Sequence, residues 1–436
     1  MKVIAGIVIG MVIGATVVLA PTGYALVVPA VFSLGILSMA LRWTSSEDEL
    51  DRDVARWTFL SYALHLAISL GISASGTTVA FFGGDANNYH RDAIALARHW
   101  TEGTPRPEFQ VGKEGFYIAL ARLYQLIGPY RVAGLVLISL CSALVVPLVT
   151  DTTRRLFGPR AARAVLPLVV LLPGFLVWTS QLLREAPIVA GLAIAANLAV
   201  RLSEQVKPGR LALLGLTLAV LFTLRANVAY VFAAGLLVGL ALGGRRLALG
   251  LVTATAMVGL LAAIVLGGGV GEGGYKYSAT ADLKQVDFVR SSLATAESGV
   301  GRDADVSTAA GSVAYLAIGV PQLLFGPFPW QVRNVRQALG LLDAMIVWCL
   351  VPSFIRGLRQ ARRRLGRRLA LLVAPALGIT VVLALLIGNS GTLIRERIQV
   401  TVLLLPFIAL GRLRAEGEEV PEVTPDPAAA LRTLPV

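Results

Sequence analysis

An all-α bundle of membrane-spanning helices is the fold class this sequence predicts, on three observations. Apolar residues make up 56% of the chain and charged residues only 15%, with a mean hydropathy of +0.73, whereas soluble domains carry ~45–50% apolar and ~25% charged residues. Apolar runs recur along the chain at about the 20 residues that a helix needs to cross the ~30 Å hydrocarbon core. Charges gather between these runs and sort by kind, with arginine clusters in alternate loops and mixed acidic and basic groups in the others. Lipid cannot satisfy unpaired backbone groups, so these segments read as helices. The short alternating strands of a membrane β-barrel are missing from the pattern.

Taken in chain order, residues 3–20 and 22–42 are apolar runs around Pro21-Thr22-Gly23. Lys2 ahead of the first gives it the look of a signal peptide, but the second run follows at once and favours a retained hairpin. An acidic-basic stretch from Ser45 to Arg56 leads into a third span, 57–75. The region 76–112 is polar and rich in Gly and Pro, contains Gly84-Asp85-Ala86-Asn87-Asn88-Tyr89-His90, and continues as an amphipathic helix to Trp100. A second amphipathic segment, Phe116 to Ile127, stops at Gly128-Pro129. Spans then read at 131–150, 164–182, 186–202, 210–224, 227–243 and 247–266. A polar loop, 267–310, and a proline-containing apolar stretch, 312–332, precede spans at 338–356, 369–387 and 398–411. The polar tail is expected to be disordered. The chain thus divides into a hairpin and loop (1–56), a central module (57–266) with a first outer loop (76–130), a second outer region (267–337), C-terminal spans (338–411) and a tail (412–436).

About eleven spans are expected from these twelve apolar runs, and the charges orient them. With Arg154, Arg155, Arg160 and Arg163 in the cytoplasm, alternation brings Arg201–Arg210, Arg245/Arg246, Arg356–Arg368 and Arg412/Arg414 to the same side, as the positive-inside rule requires. The agreement holds only if 116–127 and 312–332 lie on the outer surface as juxtamembrane helices. The N-terminus is then cytoplasmic. Orientation also accounts for most of the net charge of +13, which removes the reason to invoke nucleic acid. Cys141 and Cys349 fall inside apolar segments, against a disulfide framework or metal cluster, and three histidines are too few for an expected zinc site.

The outer loops hold the chemistry-bearing residues. Asp85, Tyr89 and Asp92 share one helical face at i, i+4 and i+7. Asp85 has two readings, a cap accepting backbone N–H bonds or a general base; His90 beside it is a surface residue or a ligand. Arg184 and Glu185 interrupt the apolar run 166–202, and Arg225 and Arg395-Glu396-Arg397 occupy corresponding outer turns. They form local ion pairs or one shared layer. Ionisable residues near membrane depth are expensive, and arginine pairs bidentately with phosphate, so a lipid-linked phosphate or pyrophosphate suits the layer.

The first outer loop with Gly84-Asp85-Ala86 and Tyr89, the juxtamembrane helices beside it, the stretch from Glu114 to Arg154-Arg155-Leu156-Phe157-Gly158, and the Leu183-Arg184-Glu185 turn resemble the GT-C superfamily of integral-membrane glycosyltransferases, of the dolichyl-phosphate-mannose–protein mannosyltransferase type. The likeness covers residues 57–230 best. It departs from the family in having Ala86 where relatives carry a second adjacent acid, and in its two extra N-terminal spans. The resemblance implies that Asp85 takes the catalytic-base position, with either Asp92 as the second carboxylate or none. It also implies that Tyr89, His90, Arg184, Glu185, Arg225, Arg395 and Arg397 bind substrate and phosphate.

The expected activity is therefore sugar transfer, with inversion, from a polyprenyl-phosphate donor to a glycan, lipid or protein acceptor at the outer face of the cytoplasmic membrane. The loop 267–310 would close over the acceptor. No cofactor is required by the residues, with a divalent cation left open. An O-antigen-type polymerase or ligase acting on lipid pyrophosphates is the alternative, and a lipid-carrier flippase the third. Richness in Ala, Leu, Arg and Gly suggests a GC-rich bacterial genome.

Overall fold

The structure, a computed structural model, describes residues 23–75, 84–107, 113–242, 282–295, 299–333 and 335–413. Among these residues the chain is helical, with fifteen α-helices and no strand beyond one isolated bridge between Gly299 and Asn389. Five helices are long and apolar enough to cross a membrane: α1 (Gly23–Thr44), α2 (Leu50–Ala74), α5 (Arg131–Phe157), α8 (Glu185–Glu204) and α13 (Val335–Leu365). Shorter apolar helices are α9 (Pro208–Leu224), α10 (Ala226–Leu242), α12 (Ala309–Phe325) and α14 (Ala370–Leu386). The expected spans at 3–20 and 247–266, and nearly all of the tail, lie outside the described residues.

Polar contacts define the two ends of the bundle. At one end Asp151 of α5, 1% exposed, is held by Arg155 at 2.9 Å and by Arg201 of α8 at 2.9 Å, and accepts from Asn197 at 2.7 Å. Arg154 joins Asp51 of α2 at 2.9 Å and donates to the Thr44 carbonyl that ends α1. At the other end Arg131, which starts α5, donates to Asn87 at 2.5 Å. The helices α1, α5, α8, α10, α13 and α15 (Ser390–Arg412) run from this second end to the arginine-rich one. Helices α2, α9, α14 and the α6–α7 pair return.

Several elements differ from the sequence reading for identifiable reasons. The segment expected as one span at 164–182 is two helices, α6 (Pro159–Leu171) and α7 (Pro173–Trp178), joined through extended Leu172. Pro173 lacks the N–H that a continuous helix would use. The charged stretch before 57 is mostly helix, because α2 begins at Leu50. Likewise α13 runs on to Leu365, and α15 begins at Ser390, where the Asn389 side chain accepts from the backbone N–H groups of Gly391 and Thr392. That makes 395–397 part of a helix rather than a turn.

Three helices lie along the Arg131 end without descending the bundle. Helix α4 (Glu114–Ile127) starts beside Thr223, at the top of α9, and its C-terminal Gly128 meets Tyr24, at the top of α1. Helix α3 (Asp85–Glu102) packs on it. The segment ahead of α12 is anchored where Val300 donates to the Gly388 carbonyl, Gly319 of α12 lies against Ala384 of α14, and the helix finishes where the Leu324 carbonyl accepts from Arg397. The segments 116–127 and 312–332 are thus largely helical, as α4 and the greater part of α12. Within the 267–310 loop the described residues form helix α11 (Leu283–Ala294) and an irregular segment, 299–308, that carries the Gly299 bridge. Fully buried Arg290 fastens it through the carbonyls of Gly301 and Ala304 and through Asp287 at 2.9 Å.

The tightest helix crossing joins α13 to α15. A Cβ added to Gly357 would lie 1.8 Å from the Phe407 carbonyl oxygen, and one added to Gly411 would lie 1.8 Å from that of Ser353. Small residues four apart let helices meet at backbone distance. We expect Gly411→Ala to force the pair apart at a cost of about 1–3 kcal/mol, the usual penalty of overpacking. Thermal unfolding in detergent would show it as a lowered midpoint, and an unchanged midpoint would place the helices further apart than described.

Candidate functional site

Three apolar helices are interrupted by charge at the Arg131 end, and the fold brings the interruptions together. Turn 179–184 is seated by two hydroxyls from neighbouring helices: Ser69 of α2 donates to the Ser180 carbonyl at 2.5 Å, and Ser142 of α5 to that of Thr179 at 2.9 Å. Glu185 therefore opens α8 in a fixed place, fully buried. Arg184, the residue before it, donates to the Leu224 carbonyl at 3.0 Å and so ties this turn to the end of α9. Arg225 sits in the one-residue link between α9 and α10, its backbone extended.

The side chains form an alternating series of charges. Asp85 pairs with Arg395 at 2.9 Å, and the Arg395 Nε approaches Glu185 at 3.0 Å. Glu185 lies 3.9 Å from Arg225, which meets Glu396 at 2.5 Å. Since Arg395 and Glu396 are adjacent on α15, the series closes on itself. It joins α3, α8, the α9–α10 link and α15. Arg184 and Lys113 add two more cations within electrostatic reach of Asp85. Four cations thus meet three carboxylates. Charges taken out of water are costly unless paired.

Helices α3 and α4 roof the cluster. Asp85 is the first residue of α3; the cap position is Gly84, and no side chain caps the helix. The carboxylate is spent on Arg395 instead. Burial raises its pKa, but the hydrogen bond and charge of Arg395, with Lys113 and Arg184, bring it below the ordinary carboxylate value. Burial, then the charge of Arg184, pushes Lys113 down to about 8. Its Nζ stands 5.9 Å from the centre of the Tyr89 ring. Burial pushes Tyr117, on α4, up to about 12, and the charges of Asp92 and Asp85 add to the shift.

The residues expected to share the site do not all reach it. Asp85, Arg184, Glu185, Arg225 and Arg395 are together. Arg397 is not: it pairs with Asp343 of α13 at 3.3 Å and donates to the Leu324 carbonyl at 3.1 Å. Tyr89 is buried against Phe116 and Tyr117, so it packs the roof onto the bundle. His90 turns away to the Tyr124 hydroxyl at 2.8 Å, and Asp92 pairs with exposed Arg91 at 3.0 Å. Lys113, Tyr117 and Glu396 were not singled out from sequence as site residues. Lys113 carried a weak signal, as a lone lysine directly before an amphipathic helix.

Among the described residues no three His, Cys, Asp or Glu side chains converge on a point that would hold a metal ion. The cluster's carboxylates face arginines, a donor set that fits a divalent cation poorly. No family model matches the chain, and no curated protein matches it.

Removing Glu185 would leave Arg395 and Arg225 buried without their shared carboxylate. We expect Glu185→Ala to cost about 3–5 kcal/mol, as breaking buried pairs does. Denaturant or thermal unfolding of the purified protein in micelles measures it, and wild-type stability in the variant would show that the two arginines do not depend on Glu185.

Proposed function

We propose that the chain is a membrane glycosyltransferase that moves a sugar from a polyprenyl-phosphate donor to a glycan, lipid or protein acceptor, with its site on the outer face of a bacterial cytoplasmic membrane. The observation that supports this reading most is the meeting of Arg184, Arg225, Arg395 and Lys113 with three carboxylates at one end of an apolar bundle. The clustering of arginines at the opposite end favours a cytoplasmic location for that end. A cationic site under juxtamembrane helices suits a phosphate whose chain lies in the bilayer.

In this reading the acceptor hydroxyl oxygen attacks the anomeric carbon, and the bond from that carbon to the phosphate oxygen breaks. The polyprenyl phosphate leaves, its developing charge held by the arginines and Lys113. The hydroxyl proton passes to Asp85. In the pair with Arg395 that carboxylate is a weak base. A donor phosphate that draws Arg395 to itself would raise the basicity of Asp85, so donor binding would arm the base. The same pair favours a second reading, an arginine-based polymerase or ligase acting on lipid pyrophosphates, in which Asp85 carries no proton.

Two expectations separate these. Transfer from radiolabelled polyprenyl-phosphate sugars in membranes should fall about 10²–10⁴-fold in Asp85→Asn, the usual weight of a general base, and at least tenfold in Arg184→Ala. Full activity in folded Asp85→Asn favours the polymerase reading, and no transfer by wild type with any donor removes the transferase.

The pH profile of kcat/KM for the donor is the other. The base must be deprotonated, so activity rises through the depressed pKa of Asp85 and is complete below the ordinary carboxylate range. Lys113 must be protonated to hold phosphate, so activity falls as pH rises through about 8. In Lys113→Gln the alkaline fall should vanish while donor affinity drops. An unchanged profile in that variant would remove Lys113 from the phosphate site.

A further inference from the structure

We propose that the exposed arginines at the end of α13 form a binding surface for anionic phospholipid, one that holds the lipid phosphate over an apolar track on the same helix face. The arginines at this end of the bundle fall into two groups. Around α2, α5 and α8 four are neutralised, Arg154 by Asp48 and Asp51, Arg155 by Asp151 and Glu204, Arg163 by Asp53, and Arg201 by Asp151, while Arg42 and Arg52 are exposed with no ion pair among the described residues. Around α13, Arg359, Arg362, Arg363, Arg364 and Arg368 are exposed, and no ion pair among the described residues involves them. No carboxylate occurs in the chain between Asp343 and Glu396. Orientation in the membrane requires positive charge somewhere at this end, but it does not require five exposed arginines in one stretch of sequence that holds no carboxylate.

The helix itself supplies the second half of the surface. At 31 residues it is about 46 Å long, against a hydrocarbon core of ~30 Å, so its last turns reach headgroup level. Its exposed residues follow a three- and four-residue spacing: Leu339, Leu342, Met345, Ile346, Cys349, Pro352 and Ile355, then Arg359, Arg362 and Arg363. One face therefore passes from apolar to cationic without a break. A ligand that fits both parts has hydrocarbon below and negative charge above, which is the chemistry of an anionic phospholipid and not of a nucleic acid or a soluble acidic protein.

The test is native mass spectrometry of the full chain, purified in neutral detergent and titrated with phosphatidylglycerol or phosphatidylcholine of the same acyl chains. Wild type should prefer phosphatidylglycerol by about fivefold for each arginine that reaches the phosphate, and added salt should weaken the preference. Combining Arg359→Gln, Arg362→Gln, Arg363→Gln, Arg364→Gln and Arg368→Gln should abolish it, while lysine at the same five positions should keep it. Equal binding of the two lipids by wild type, or a preference that survives the glutamine changes or high salt, overturns the proposal. The rival occupant is the chain's own C-terminal segment, which carries Glu416, Glu418, Glu419, Glu422 and Asp426 and follows Gly411, whose carbonyl accepts from Arg356. A preference seen only after removal of residues beyond Arg414 would assign the surface to that segment and also overturn the proposal.

Discussion

A carboxylate with no access to water has to be neutralised where it stands, and Glu185 is such a group. It starts α8 with no exposed surface, between Arg395 and Arg225. Each arginine then reaches a further carboxylate, Asp85 on the roof and Glu396 on α15. The position of α3, the seat of α15 and the link between α9 and α10 are thereby made conditional on one another. Packing alone would tolerate small shifts among these helices. Charge pairing of about 3 Å geometry in a low-dielectric setting tolerates far less.

The arrangement at the opposite end shows what a purely structural cluster looks like here. Asp151 is as buried as Glu185, yet it is surrounded by Arg155, Arg201 and Asn197 at hydrogen-bond distance and ties helices together. There the acids Asp48, Asp51, Asp151 and Glu204 match the arginines that face them. In the cluster at the Arg131 end four cations meet three carboxylates among the described residues, one acid sits at the start of a surface helix, and burial, followed by the charge of Arg184, brings Lys113 down to about 8. An excess of fixed positive charge next to a partly exposed carboxylate is the reason to place chemistry at that end and architecture at the other.

Much of this was legible in the sequence, because charge inside an apolar run is visible without a structure. Arg184, Glu185 and Arg225 stood out that way, and the alternation of basic loops gave the direction of the helices in the described part. Arg395 and Arg397 were grouped wrongly because 395–397 was read as a turn. On a helix, residues two apart point to nearly opposite sides, so once α15 begins at Ser390 only one of the two can join Glu185. Asp92 shares a face with Asp85 but lies about 10 Å along the helix axis from it, out of reach of the same partners. The break at Leu172-Pro173 was signalled by the proline. Lys113 and Tyr117 depend on how α4 lies across the bundle, which no local pattern encodes.

The central claim is that the cations of this cluster hold a phosphate, and donor binding tests it more directly than turnover. The measurement is the affinity of the purified protein for a short polyprenyl phosphate and for the polyprenol of the same length, in wild type and in Arg395→Gln. One charge-assisted contact to the phosphate should give wild type about a 10–100-fold preference for the phosphate over the alcohol, and the substitution should erase most of it. Equal affinity of wild type for the two lipids would contradict a phosphate site in this cluster.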